Sequence, residues 1–173
     1  MNYSKINTFD ICNGDGIRVS LFVSGCNFHC QGCFNQEAQD FNYGHKYTDK
    51  VKKYILNKVN QKDFSGVSIL GGDPLCQSEE GLKELIELCV AVHSLGKDVW
   101  LWSGYKWEDI WSNNDTDNFL RKTLIDNVDY FVDGQYMEQL KDLSSAFKGS
   151  TNQRIIDVQN SKKEKGIIIK EIE

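Results

Sequence analysis

Four short apolar runs in this chain each end at a glycine-containing turn, and segments of helical character lie between them. The runs cover residues 18–24, 67–70, 98–103 and 128–132. Runs of this length predict buried strands, and their alternation with helices predicts parallel βα units with right-handed crossovers. A complete eight-unit barrel takes about 250 residues, so 173 residues leave room for only about five or six strands. The sequence therefore predicts an α/β fold, a partial (open) TIM-like βα barrel with a mostly parallel sheet.

The segments between the runs carry apolar residues at helical spacing. The clearest predicts a helix that begins after Ser78, buries a stripe including Leu82, Leu85 and Cys89, and ends at Gly96. Helices are also predicted over 48–60, 106–112, 116–126 and 135–143, and a last strand over 167–172. The tail from about residue 158 is polar at first and predicts a solvated hairpin. We expect one domain over residues 1–173, with this tail as a polar C-terminal extension.

Turn residues at the ends of the predicted strands should meet at one edge of the sheet, because parallel strands present their carboxyl ends on the same side. The loop after the first strand contains three closely spaced cysteines, Cys26, Cys30 and Cys33. The next three turns are Gly71-Gly72-Asp73-Pro74, Ser103-Gly104 and Asp133-Gly134. The sequence therefore predicts a single rim on which the cysteine loop lies beside the other turns.

The three cysteines on this rim have the spacing C-x3-C-x2-C. Three thiolates in one loop can hold three corners of an iron–sulfur cluster, whereas clusters that only transfer electrons are normally closed by four protein ligands. Three ligands leave one iron open, and an open metal position allows a substrate or cofactor to bind the metal directly. The pattern predicts a metal site and favours a cluster with Cys26, Cys30 and Cys33 as its ligands.

Three other structures would use the same cysteines. A zinc site would add His29 or His45 as a fourth ligand, a disulfide framework would suit a small secreted protein, and a buried helical stripe would use the offsets of four and three. Gly25 and Gly32 argue against a helix, because glycine lowers helix stability. No apolar signal stretch follows Met1, which argues against secretion. Spacing alone leaves zinc open.

The charge and cysteine content of the chain argue against several classes of function. Its 20 Lys and Arg residues against 25 Asp and Glu residues give a net charge of −5, which provides no basic surface for nucleic acid. No apolar run approaches the roughly 18 residues that span a bilayer, so no membrane is expected. Six cysteines without an export signal predict a cytoplasmic protein with free thiols. Cys89 is expected in the core, and Cys12 and Cys76 either in the core or beside the site.

The cysteine spacing resembles the signature of the radical S-adenosylmethionine (SAM) superfamily, in which the free iron binds the methionine end of SAM. Gly71-Gly72-Asp73 is similar to the GGE or GGD segment near the SAM ammonium in that superfamily, although Leu70 replaces the small polar residue expected there. The resemblance also puts an aromatic residue after the third cysteine near the adenine, and the end of the third strand near the ribose or methionine. It implies a SAM site formed by Gly32, Cys33, Phe34, Gly71, Gly72, Asp73 and Ser103.

Further segments resemble the glycyl-radical-enzyme activases, and among them those of anaerobic ribonucleoside-triphosphate reductase. Residues 13–18 look like their DGPG-R segment, with Asp15 where that pattern has proline and Arg18 as its arginine. The resemblance also rests on residues 1–3, 26–35, 102–105 and 148–154 and on the GGDP turn, and covers roughly residues 1–157. The sequence does not decide whether Arg18 is structural or binds a carboxylate.

This resemblance implies an oxidoreductase that cleaves SAM reductively at a 4Fe-4S cluster. The resulting 5′-deoxyadenosyl radical would take hydrogen from a glycine of the large subunit of anaerobic ribonucleoside-triphosphate reductase and leave a glycyl radical there. The resemblance also implies a low-potential electron donor such as flavodoxin or ferredoxin, and no side-chain general base. Two alternatives remain: activation of a formate-lyase type of glycyl radical enzyme, and a non-catalytic zinc-binding interaction module.

Overall fold

A computed structural model describes residues 1–112 and 116–172. These residues contain seven strands: β1 (Asn2–Asp10), β2 (Ile17–Val23), β3 (His45–Lys46), β4 (Phe64–Gly71), β5 (Asp98–Ser103), β6 (Tyr130–Asp133) and β7 (Arg154–Asp157). They also contain five α-helices: α1 (Asp49–Val59), α2 (Glu79–Ser94), α3 (Trp107–Ser112), α4 (Thr116–Asp126) and α5 (Val158–Glu164). The strands form one sheet in the order β3-β1-β2-β4-β5-β6-β7.

The four central strands of the sheet are parallel, as the alternation of strands and helices predicts. β2 pairs with β4, β4 with β5 and β5 with β6 in parallel register. β1 and β3 on one side, and β7 on the other, are antiparallel. The α/β class and the open sheet are therefore confirmed. The expectation of five or six strands is too low for the described residues, because antiparallel strands flank the parallel core at both edges.

The antiparallel strand β1 has a largely polar sequence with no clear alternation. Tyr3 lies opposite Val23 and Ile6 opposite Leu21, and both β2 partners are fully buried. The apolar side chains of Tyr3 and Ile6 pack against the main core. Pairing with a buried neighbour, and not local periodicity, therefore makes this segment a strand.

The main core lies between the sheet and the helices. Val19, Leu21 and Val23 of β2 are fully buried there, because alternate side chains of a strand point to the same face. The predicted stripe of α2 is confirmed, with the buried residues Leu82, Leu85, Leu88, Cys89 and Val92. Within the described ranges, none of the helices combines the length and apolar character needed to cross a bilayer.

Arg18 is buried on the other face of the sheet, next to the second apolar cluster around Trp100. Its Nε donates to Ser68 Oγ at 2.7 Å, and one terminal nitrogen donates to the Val67 carbonyl at 2.9 Å. The guanidinium also forms an ion pair with Asp98. These contacts join β2, β4 and β5 at their amino ends. Arg18 therefore has a structural role, which the sequence alone does not decide.

Three predictions for the second half of the chain are wrong. The helix expected over 135–143 contains only the 3₁₀ turn Glu138–Leu140, because the backbone of this segment bonds to residues near 150, as in the 2.8 Å bond from the Thr151 N–H to the Leu140 carbonyl. The tail expected to form a hairpin instead begins with α5, whose first turn is capped by Asp157 accepting from the Asn160 N–H at 3.0 Å. The strand expected over 167–172 makes only an isolated bridge between Ile156 and Ile169.

Candidate metal and cofactor site

A cavity of about 520 Å³ opens at the carboxyl ends of the parallel strands. Its wall includes residues from the turns that follow β2, β4, β5 and β6, so the predicted rim is confirmed as one continuous surface. The sequence-predicted residues on this wall are Cys26, Cys30, Cys33, Phe34, Gly71, Gly72, Asp73 and Ser103. Its volume lies in the usual range for small-molecule and cofactor sites, about 300–1,000 Å³.

Backbone hydrogen bonds fix the start of the cysteine loop against the segment that follows it. The Gly25 N–H donates to the Ala38 carbonyl at 2.7 Å, and the Cys26 N–H donates to the Gln39 carbonyl at 3.1 Å. The buried Gln77 side chain also donates to the Ser24 carbonyl at 3.0 Å. The loop therefore leaves β2 along a defined path, and Cys26 is the cysteine most firmly held.

The three loop thiols are close enough to influence one another electrostatically. Burial raises the pKa of Cys30, and negative charge on Cys26 and on Cys33 raises it further. A hydrogen bond involving Cys76 lowers the pKa of Cys26 to about 7. Gathering three thiolates is costly without positive charge between them, because like charges repel more strongly where water is partly excluded. The arrangement therefore suits a bound metal centre.

The spacing of the thiols discriminates between one zinc ion and a larger cluster. Zinc binds thiolates at about 2.3 Å, which puts tetrahedral ligands roughly 3.8 Å apart. Cys26, Cys30 and Cys33 do not form a group with all three sulfurs within 4.8 Å of one another. A four-iron cluster accepts wider spacing, because each thiolate binds a different iron. The three residues therefore fit a cluster better than a single zinc ion.

The histidines proposed as a fourth zinc ligand are engaged elsewhere. His29 Nδ1 lies 2.9 Å from Gln39 Oε1, and the His45 ring lies against Tyr3 at the edge of the sheet. Among residues 1–112 and 116–172, no group of three close ligand atoms includes either histidine. Neither histidine therefore belongs to a compact group of ligand atoms of the kind that a single zinc ion needs.

Among the described residues, Cys26, Asp73 and Cys76 form a group whose possible ligand atoms lie within 4.8 Å of one another. The Asp73 carboxylate in this group already accepts several hydrogen bonds. It accepts hydrogen bonds from the Leu75 N–H at 2.8 Å, the Gly104 N–H at 2.7 Å and the Ser103 hydroxyl at 2.9 Å. Burial raises the pKa of Asp73 to about 6. Asp73 therefore ties the end of β4 to the end of β5 and has little capacity left to bind a metal.

Gly71 and Gly72 are required by the packing of the protein backbone. A Cβ on Gly72 would lie 2.5 Å from the Gly25 carbonyl oxygen and 2.6 Å from that of Ala38. Gly71 has a φ of 114°, which side chains rarely adopt, and its Cβ would lie 2.6 Å from the Val23 carbonyl oxygen. The double glycine therefore lets the cysteine loop approach β4, whether or not a ligand also approaches it.

Phe34 and Gly32 differ in their relation to the cavity. Phe34 lies on the wall with 69% of its surface exposed, and its ring centroid is 5.8 Å from that of Tyr136. Gly32 is in the loop but not on the wall; its φ is 74°, and a side chain there would collide with Glu138. The cavity wall therefore brings together eight of the nine residues predicted to contact the metal or SAM. The exception is Gly32, which is a turn residue of the loop.

A family model described as a 4Fe-4S single cluster domain matches residues 12–156, a span that includes the cysteine loop and all four parallel strands. The anaerobic ribonucleoside-triphosphate reductase-activating protein of Escherichia coli (strain K12) is 34% identical over 157 residues, which cover 88% of this chain and 96% of its own length. The protein of the same name from Enterobacteria phage T4 is 35% identical over 156 residues, 90% of this chain and 93% of its own. The chain belongs to the family of anaerobic ribonucleoside-triphosphate reductase-activating proteins.

In this member of the activating-protein family, the segment 148–154 holds the turn that follows β6. Gln153 accepts from the Gly149 N–H at 2.8 Å and donates to the Gly134 carbonyl at 2.8 Å. Arg154 forms an ion pair with the buried Asp133, so Asp133 is structural. The segment that resembles the family therefore shapes the cavity, and Lys148, Gly149 and Gln153 lie on its wall.

The sequence assigns no definite site role to several residues that line or support the cavity, and it leaves Cys12 and Cys76 open between the core and the site. Cys12, Trp102 and Phe147 lie on its wall, and Cys76 lies behind Cys26. Their positions follow from strand register and from loop packing, which local patterns do not report. By contrast, Asp15 is not on the wall and forms an ion pair with Lys170 at 3.0 Å.

Proposed function

We propose that this protein is a radical SAM activase that installs a glycyl radical on the large subunit of anaerobic ribonucleoside-triphosphate reductase. One observation carries the proposal: the three loop cysteines share a cavity wall with the turn at Gly71–Asp73 and with Ser103. A cluster held by three residues needs such space beside its open iron for a cofactor to bind. The names of the relatives, which state that they activate this reductase, support the choice of partner.

In this proposal Cys26, Cys30 and Cys33 hold three irons of a 4Fe-4S cluster, and SAM binds the fourth. When bound and reduced, the pair supplies a 5′-deoxyadenosyl radical that removes hydrogen from a glycine of the partner. The protein contributes position and exclusion of water, because such a radical reacts with whatever lies closest. The apolar wall residues Trp102 and Phe147 support that role, since they offer few polar groups to the cavity interior.

The SAM contacts are proposed from their positions on the wall. Backbone carbonyls at Gly71 and Gly72 would accept from the methionine ammonium, and Phe34 would stack on the adenine. Ser103 would act through its hydroxyl, which Asp73 holds in place by accepting its proton at 2.9 Å. Cys33 would contribute backbone next to the cofactor, whereas Gly32 would only shape the loop from outside the wall. The packing constraints on the two glycines mean that their carbonyls, and not their missing side chains, would contact SAM.

The open sheet supports a macromolecular substrate. Four parallel strands with their carboxyl ends at one cavity are consistent with a partial TIM-like barrel over a single domain, whose open side would admit a glycine-bearing loop of the partner. A low-potential donor such as flavodoxin or ferredoxin would supply the electron, and these partners would meet the protein in the cytoplasm. Docking would be transient, as is common for enzymes that act on folded proteins.

The test begins with anaerobic reconstitution of the full chain. We expect a brown protein with about four irons per chain and an EPR signal after dithionite that SAM alters. With dithionite and SAM the protein should cleave SAM slowly by itself, and addition of the reductase should produce the doublet EPR signal of a glycyl radical. A reductase variant with its radical-site glycine changed to alanine should give no doublet.

Three outcomes would contradict the proposal at different points. Colourless protein with one zinc ion would favour the zinc-binding interaction module. A radical on a formate-lyase type of enzyme but not on the reductase would identify the other class of partner. SAM cleavage without a radical on either partner would leave the cofactor assignment intact and remove the proposed substrate.

A further inference from the structure

Asn35 lies two residues after Cys33, on the wall of the cavity. Its backbone carbonyl accepts from the Ala38 N–H at 3.0 Å, and the Ala38 carbonyl in turn accepts from the Gly25 N–H at 2.7 Å. Asn35 is partly buried, whereas Phe34 before it is exposed. The contacts that fix the start of the cysteine loop therefore also fix the position of Asn35.

One hydrogen bond fixes the orientation of the Asn35 side-chain amide. Its Nδ2 donates to the Gly71 carbonyl oxygen at 3.3 Å, where the segment after the cysteines meets the end of β4. A carbonyl oxygen can only accept, so the amide nitrogen must face Gly71 and the amide oxygen must lie on the other side. Within residues 1–112 and 116–172, no hydrogen bond ends on Asn35 Oδ1. A residue of the cavity wall therefore keeps one acceptor unused.

The Asn35 and Gly71 oxygens form a pair of neighbouring acceptors. A carbonyl oxygen has two lone pairs, so the Gly71 oxygen can accept a second hydrogen bond while Asn35 holds it. The nearby Asp73 carboxylate, by contrast, is occupied by Ser103 and by backbone N–H groups. Two neutral acceptors side by side suit a ligand group with several N–H donors and a positive charge, and they do not suit a carboxylate. The methionine end of SAM carries such a group, its amine.

We propose that Asn35 is a further SAM-binding residue, whose Oδ1 accepts a hydrogen bond from the amino group of SAM while Nδ2 holds the Gly71 carbonyl in place. The inference rests on the proposed function, because that function puts SAM in the cavity with its amino group at Gly71. A side chain thereby joins the backbone carbonyls in binding this end of the cofactor. Hydrogen bonds to charged groups are stronger than those between neutral groups, so the loss of this one is measurable.

The test measures ligand binding to the anaerobically reconstituted full chain by equilibrium dialysis without reductant. Two ligands are compared: SAM, and 5′-methylthioadenosine, which has the adenosine and the sulfur but lacks the amino-acid end. We expect Asn35→Ala to weaken SAM binding by about tenfold to a hundredfold, as for the loss of a hydrogen bond to a charged group, and to bind 5′-methylthioadenosine as wild type does. Asn42→Ala is the matched control and should bind both ligands normally, because Asn42 is an exposed asparagine of the same segment and is not on the wall.

Asn35→Asp separates a ligand contact from a structural role. Aspartate has nearly the same shape and keeps an acceptor, but it loses the donor to Gly71. If Oδ1 binds the amine, Asn35→Asp should bind SAM more tightly than Asn35→Ala, because it keeps the acceptor and its negative charge attracts the amine. If the amide only holds Gly71, the two variants should lose SAM affinity alike.

Unchanged SAM binding in Asn35→Ala would overturn the inference. An equal loss of both ligands would also overturn it, because Asn35 would then contact the adenosine or only support the loop, and so would SAM binding in Asn35→Asp as weak as in Asn35→Ala. If Asn35→Ala takes up no iron, Asn35→Asp is compared with wild type, and a loss of SAM binding of about tenfold there would have the same meaning. Failure of the proposed function has a different signature: wild type itself would hold no iron or bind no SAM, and the inference would fall with it.

Discussion

At the scale of single residues, the three loop cysteines differ in their surroundings. Cys26 has the Cys76 thiol beside it, whereas Cys30 and Cys33 face the cavity near the turn after β6. We predict that Cys30→Ala and Cys33→Ala each lose most of the bound iron and all SAM cleavage, because each thiolate would hold a separate iron. Iron per chain and visible absorbance after reconstitution measure this.

Two further variants sharpen that ligand test. Cys26→Ala is best combined with Cys76→Ala, because the neighbouring thiol offers a second sulfur at the same corner. Cys89→Ala should keep the cluster and lower the free energy of unfolding by about 1 kcal/mol through lost packing. Full iron and activity in Cys30→Ala would show that the ligand assignment is wrong.

Gly72 gives a second prediction at this scale. The sequence alone predicts that Gly72→Val weakens SAM binding and spares the cluster, but the Cβ would meet the carbonyl oxygens of Gly25 and Ala38. We therefore expect even Gly72→Ala to lower the free energy of unfolding by about 2 kcal/mol and to reduce iron uptake as well as SAM affinity. Urea denaturation and iron analysis measure the two effects.

Gly166→Ala is the control for that substitution, because the nearest atom to its Cβ would be the Glu164 carbonyl oxygen at 3.9 Å. It should change neither stability nor iron content appreciably. Normal iron and stability in Gly72→Ala, with only SAM binding impaired, would restore the interpretation of Gly72 as a ligand contact alone.

At the scale of elements, the end of α2 is tied to the start of β5 and β6 by one ionisable pair. His93 Nε2 lies 2.8 Å from Asp129 Oδ2, and the same carboxylate oxygen accepts from the Val99 N–H at 2.8 Å. The hydrogen bond to Asp129 raises the pKa of His93 above its usual value of 6.5. The protonated histidine therefore stabilises the fold below pH about 6.5, and this contribution is lost as the pH rises through the raised pKa.

We predict that His93→Gln removes this pH dependence. The difference in unfolding free energy between wild type and the variant should be largest near pH 6 and shrink towards pH 8, by less than about 1 kcal/mol because the pair is partly exposed. Chemical denaturation of the iron-free protein across this range measures it. A difference that stays constant or grows with pH would show that the pair is not charged as we infer.

At the scale of the whole molecule, exposed apolar side chains gather beside the cavity. Phe34 is 69% exposed and Leu143 is 87% exposed, and the segment between β6 and β7 also exposes Met137 and Leu140. Exposed apolar groups that cluster in this way often mark a protein interaction surface. Under the proposed function this surface would meet the reductase.

We predict that Leu140→Ser lowers glycyl radical formation on the reductase by about threefold to tenfold at limiting protein, which corresponds to about 0.7 to 1.4 kcal/mol of binding energy. Leu140 is 40% exposed and contributes no side chain to the cavity wall, so SAM cleavage in the absence of the partner should be retained. Val90→Ser is the control, because Val90 is 51% exposed on α2. An equal loss in both variants would remove the docking role of this surface.

The central elements were predictable because the burial of each one is visible in its own local sequence, as an apolar run or a helical stripe. The runs for β2, β4, β5 and β6, and the stripe of α2, lie within a few residues of their predicted positions. The sequence does not predict β1, β3 and β7, since these antiparallel strands flank the parallel core and take their register from a neighbouring strand. The segment over 135–143 has helical composition, but its backbone forms hydrogen bonds with residues 148–154 and not within a helix. One example is the 2.8 Å bond from the Thr151 N–H to the Leu140 carbonyl.

The sequence by itself determined the α/β class, the rim of turns and the spacing of the three cysteines, because periodicity and short-range spacing are properties of the local chain. Only the tertiary structure decided that Arg18 and Asp133 are structural, that Gly72 is needed for backbone packing, and that Cys76 lies behind Cys26. These features depend on atoms that come together from distant parts of the chain, where burial, strand register and the satisfaction of hydrogen bonds select the neighbours. Residue identity limits which contacts can form, but the packing of the whole fold determines which of them do form.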